Sequence, residues 1–72
     1  MELKIIFGQR VLALRKSAGL SQSALAEQLG ITMHQISKME TGQRGPSLEL
    51  AVALADYFDV SLDYLVGRSD RR

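Results

Sequence analysis

Residues 21–42 read SQSALAEQLGITMHQISKMETG, the pattern of two short helices pivoting on Gly30. Ser21 is placed to N-cap the first, its hydroxyl accepting from the free amides of the opening turn. Leu25, Ala26 and Leu29 follow as an apolar stripe at helical spacing. Gly30 comes next, where the chain needs a positive φ that glycine adopts without strain. Thr32 caps the second helix, and Gln35 three residues on completes a Thr-x-x-Gln capping box. Ile36 and Met39 form that helix's inner stripe, and Gly42 ends it. Gln22, Ala26, Gly30 and Ile36 stand at intervals of four, four and six, with Ala26 small enough for a close helix crossing. Ile31 and Leu29 flank the turn and plug the angle. The pattern is a helix-turn-helix.

In DNA-binding motifs of this geometry the second helix lies in the major groove and the first crosses the backbone. The face opposite Ile36 and Met39 carries Thr32, Met33, His34, Ser37, Lys38 and Thr41. An ordinary helical hairpin is the bland alternative. Two caps, a turn glycine, a small crossing residue and a polar outer face weigh together against it.

Outward from this motif the whole chain reads as all-α. Phe7, Val11, Leu14 and Ala18 line one face of a first helix closed by Gly19, and Leu20 packs inward before the next cap. Residues 1–6 read as an extension or the start of that helix, a boundary that Gly8 blurs. After the turn-rich Gln43–Pro46, Ser47 caps a fourth helix over Leu48–Phe58. Leu48, Ala51, Leu54, Ala55 and Phe58 are its expected core residues, and Val60 fills a gap beyond it. Ser61 caps a short fifth helix, Leu62 to Val66, with Asp63 in its first turn and Gly67 at its end. The expectation is one compact five-helix domain over residues 1–67 and a charged, frayed tail over 68–72.

Composition bounds the function. The 72 residues are 46% hydrophobic, contain no cysteine and suit a reducing, cytoplasmic setting. No apolar run approaches the roughly eighteen residues that span a bilayer. Net charge is +1, but residues 1–44 hold six bases and three acids, whereas residues 45–72 hold three bases and five acids. A domain basic around its helix-turn-helix and acidic behind it can be steered face-first onto phosphate, the bland alternative being that both charge sets simply solubilise the surface. Catalytic readings are weak. His34 has no partner at metal-ligand spacing, and no calcium-loop glycine accompanies Asp56, Asp59 and Asp63. Ser21, Ser47 and Ser61 each precede a helix, so capping explains them better than nucleophilic catalysis. The chain reads as neither an enzyme nor a binder of metals or cofactors.

Leu14-Arg15-Lys16, Gly19-Leu20-Ser21-Gln22, Leu25-Ala26, Leu29-Gly30-Ile31, Ile36-Ser37-Lys38-Met39-Glu40, Gly42, Pro46-Ser47-Leu48, Leu54-Ala55 and Val60–Leu65 resemble the phage repressor and Cro-type family, also called Xre. The likeness covers roughly residues 7–67. It implies a lambda-repressor-like fold, a salt bridge from Arg15 to Glu40, and a dimeric transcriptional regulator, most simply a repressor, on pseudo-palindromic operators. Thr41 departs from the family's frequent asparagine and Asp59 from its frequent glycine.

The expected DNA contacts follow. Thr32, Met33, His34, Ser37 and Lys38 are the base-contacting candidates: lysine donates to guanine, and methionine rests against a thymine methyl. Ser21, Gln22, Thr41, Gln43 and Arg44 are the phosphate-contacting candidates, with Arg10 and Lys16 behind them. Leu50, Ala53 and Tyr57 form a second apolar face on the fourth helix, which Tyr64 extends into an expected homodimer interface. Leu3, Ile5 and Ile6 are a rival contact surface. A different function class also fits: an antitoxin-like or controller protein whose main partner is a polypeptide, with DNA binding secondary.

Overall fold

Hydroxyl caps start four of the five helices in the computed structural model, which describes residues 2–72; Met1 lies outside the described residues. Helix α1 spans Leu3–Ser17, α2 Gln22–Leu29, α3 Met33–Glu40, α4 Leu48–Phe58 and α5 Leu62–Leu65, with no strand among the described residues. Ser21 Oγ accepts from the Ala24 amide at 3.0 Å, Thr32 Oγ1 from Gln35 at 3.1 Å, Ser47 Oγ from Leu50 at 3.1 Å and Ser61 Oγ from Tyr64 at 2.9 Å. Each such cap contributes about 1 kcal/mol. Gly30 closes α2 at φ 70°, and Asp59 closes α4 in the same left-handed region at φ 54°, where glycine fits more easily.

Helix α1 begins at Leu3, so residues 3–6 are the start of that helix. Ile5 and Ile6 lie within it, half-buried, Ile5 against Gly42 and Ile6 against Gly67. Leu3 stays 61% exposed. Gly8, which blurred the helix start, sits inside α1 where that helix crosses the end of α3. A Cβ there would overlap the Met39 carbonyl oxygen. Close backbone approach, and not a break in the helix, explains this glycine.

The core forms where α1 and α2 pack on α3, with α5 set against α1 and α4. Val11, Leu25, Ile36, Leu54 and Leu65 are sealed from solvent, and Leu20, Leu29, Ile31, Phe58 and Val60 pack around them. Fully burying such a side chain contributes about 1.5–3 kcal/mol. Three expected placements need correction. Leu48, the first residue of α4, points outward and is 75% exposed, while Ala18 is exposed beyond the end of α1. Tyr64 is buried, with the Arg10 guanidinium 4.2 Å above its ring.

The tail is folded back, not frayed. The Ser61 amide donates to the Arg72 carbonyl at 2.8 Å, the Arg68 amide to Asp63 at 2.8 Å, and Arg10 pairs with Asp70 at 3.2 Å. Hydrogen bonding by Arg72, aided by Arg10, holds the Tyr64 phenol below its ordinary pKa against the opposing effect of burial. Helix α5 ends at Leu65, one residue before the expected Val66, which becomes its cap. No helix among the described residues is long and apolar enough to cross a membrane.

Candidate nucleic-acid interface

Helix α3 is anchored at one end and open at the other. At its C-terminal end Met39 and Glu40 are buried. From α1, Arg15 donates through Nε to Glu40 Oε2 at 2.6 Å and through Nη2 to Oε1 at 3.1 Å, a bidentate fork. Arg15 Nη1 donates to the Leu20 carbonyl at 2.8 Å, and Gln22 Nε2, from α2, donates to Glu40 Oε1 at 2.9 Å. The Arg15 and Glu40 side chains are 11% and 3% exposed. The hydrogen bond to Glu40 raises the Arg15 pKa above its ordinary value, while burial acts the other way. One network therefore ties α1, α2 and α3 together. The Leu20 carbonyl and the Gln22 amide are members that sequence reasoning missed.

At the other end, the Thr32 amide donates to Gln35 Oε1 at 2.9 Å and the Gln35 amide to Thr32 Oγ1 at 3.1 Å. This reciprocal cap commits Gln35 even though it is exposed. Thr32, Met33 and His34 face solvent, with Ser37 and Lys38 half-buried one turn on. Ser23 Oγ, from α2, donates to Met33 Sδ at 3.2 Å. A cleft of about 200 Å³ opens between α3, the following loop and α4, lined by His34, Lys38, Arg44, Pro46, Ser47 and Leu50 among others. Neither Lys38 nor Arg44 has an ion-pair partner among the described residues, and Glu40, the nearest acid along α3, is neutralised by Arg15. The outer face keeps its positive charge.

The phosphate candidates fall into two sets. Ser21 is exposed at the start of α2, where the first amides lack intrahelical acceptors. Gln22 uses one amide hydrogen on Glu40 and keeps the second, held in a fixed place. Gln43 and Arg44 are exposed on the loop, their backbone amides both donating to the Lys38 carbonyl, at 3.0 and 3.3 Å. Thr41 differs, because its hydroxyl proton goes to the Ser37 carbonyl at 3.0 Å, so in this geometry it offers a phosphate no donor. The expected dimer patch is not assembled as drawn. Tyr57 is 40% exposed and Ala53 half-buried on α4, but Leu50 leans against the core and into the cleft beside α3, and Tyr64 is a core residue.

An all-helical domain with a capped, outward-facing second helix of this kind defines the helix-turn-helix class. The chain belongs to the helix-turn-helix family of phage-repressor and Cro type, whose family model matches residues 11–65. It is similar to the P22 c2 repressor, solved in complex with a synthetic operator, at TM-score 0.81 and 32% identity over 88% of this chain and 96% of that one. It is also similar to the restriction-modification controller protein C.AhdI from Aeromonas hydrophila, at TM-score 0.76 and 37% identity over 86% and 90%. The cryptic phage CTXphi transcriptional repressor RstR of Vibrio cholerae is 33% identical over 83% of this chain and 54% of its own length. The chain spans little more than half the length of the first curated relatives it matches. The family is one of transcription regulators rather than of enzymes.

Proposed function

We propose that this chain binds DNA sequence-specifically and regulates transcription, as a repressor that reads a pseudo-palindromic operator as a homodimer. The observation that carries the reading is the open half of α3, where Met33, His34 and Lys38 project beside Arg44 with no acid paired to either cation. Lys38 donates to guanine acceptors, Met33 rests on a thymine methyl, and His34, Thr32 and Ser37 complete the base contacts. The α2 amides with Ser21 and Gln22 hold one phosphate, and Gln43 and Arg44 hold the adjoining backbone. Paired half-sites about 34 Å apart supply the specificity that one recognition helix lacks. With Tyr64 in the core, Tyr57 and the half-buried Ala53 and Leu50 are the α4 contacts for a second copy.

Selection from a random duplex library tests the reading: an enriched two-fold motif is expected, and enrichment of nothing rejects it. Sedimentation of the parent and of Tyr57→Glu tests the dimer, which the charge should dissociate. The likeness to a restriction-modification controller protein favours a second reading, a controller role, and a restriction gene beside this one would support it.

A further inference from the structure

We infer that Ser23 is a positioning residue for base readout, its hydroxyl holding the Met33 thioether in one orientation across the α2–α3 corner and so sharpening recognition of a thymine methyl. The inference rests on the DNA-reading function proposed above. Ser23 lies in the first turn of α2, but Ser21 already caps that helix, so the Ser23 hydroxyl has no capping task. It is exposed, and it donates to Met33 Sδ at 3.2 Å. Met33 opens the recognition helix and is 52% exposed, so it reaches a ligand directly.

Methionine has three rotatable side-chain torsions and a soft thioether, which lets it settle against many apolar shapes. A free Met33 therefore discriminates poorly among base edges. Fixing the sulfur leaves one torsion, that of the terminal methyl, and the side chain meets the major groove already ordered. The hydroxyl carries a single proton. While the sulfur accepts it, no phosphate oxygen can, because phosphate oxygens accept and do not donate. Ser23 thus either positions Met33 or grips the backbone, and the two roles leave different signatures.

The test starts from the duplex that the parent protein selects from a random library. Each thymine in turn is replaced by uracil, which removes the C5 methyl alone. Binding is then compared for the parent, Ser23→Ala, Ser23→Thr, Met33→Leu and the Ser23→Ala/Met33→Leu double variant. At one thymine, Ser23→Ala is expected to shrink the parent's preference for the methyl by about two- to tenfold. Ser23→Thr, which keeps the hydroxyl, restores it, and Ser23→Ala adds nothing once Met33 is leucine. Uniform weakening on every duplex would overturn the inference and mark Ser23 as a phosphate donor. Equal losses with and without Met33 overturn it too, while leaving the DNA-reading function intact. A parent that selects no sequence overturns both.

Discussion

The two ends of the recognition helix are built on opposite plans. At its C-terminal end Glu40 is buried and held by Arg15 and Gln22, so that three helices share one charged knot. At its N-terminal end a local capping box, Thr32 with Gln35, holds the backbone, and Thr32, Met33 and His34 face solvent, Met33 touched by the Ser23 hydroxyl from α2. A helix that must offer a few side chains in a reproducible pose needs a stiff mount away from the ligand. The mount also pairs the one acid of α3 with Arg15. Burial and charge pairing are concentrated at one end, and solvent-facing side chains at the other.

The sharpest way to break this contrast is Glu40→Ala. It leaves the Arg15 guanidinium buried without its partner, and removal of one member of such a pair costs about 3–5 kcal/mol. A urea or thermal melt should show global destabilisation, and a parent-like melt would mean that the knot is not the mount. Next comes Gly8→Ala. Inside a helix this change ordinarily stabilises by roughly 0.5–1 kcal/mol. Here the new methyl meets the Met39 carbonyl, so a loss of about 1–3 kcal/mol is expected instead. The sign of the shift in the urea midpoint decides whether α1 bears on α3 as closely as described.

At the open end the expected losses move from stability to binding. Lys38→Ala should cost about 1–3 kcal/mol of discrimination at one base pair, with a melt close to the parent's. Arg44→Ala should weaken every sequence alike and lower the salt slope by about one. If either variant instead unfolds the domain, the division between the two ends fails. The smallest effect is that of Thr32→Ala, which removes the cap at the reading end and should cost about 1 kcal/mol in a thermal melt.

Much of the helix-turn-helix was legible because its determinants are near neighbours in the chain. A cap reaches three residues, a helical stripe three or four, and a left-handed turn is settled at a single position. Ser21, Thr32, Ser47 and Ser61 could therefore be read as caps before any fold was known, and α4 runs over Leu48–Phe58 as its pattern predicts. The Arg15–Glu40 pair was legible only through the family resemblance, since nothing local links residues 25 positions apart. Ser23 was missed because its hydroxyl answers to Met33, ten residues away on another helix.

By itself, then, the amino-acid order determined the number and type of the helices, the hydroxyl caps that start four of them and the polar face of α3, all of which rest on contacts within one turn. The tertiary structure alone decided which flank of each apolar stripe is core and which is surface. Leu48 turns outward, Leu50 inclines toward the cleft, and Tyr64 is covered by Arg10, which in turn pairs with Asp70 at a separation of 60 residues. Helical periodicity assigns a residue to a face, but burial depends on what distant segment arrives there. The same holds for Gly8: within α1 it is a weak helix former, and only the approach of the Met39 carbonyl makes the missing side chain a requirement.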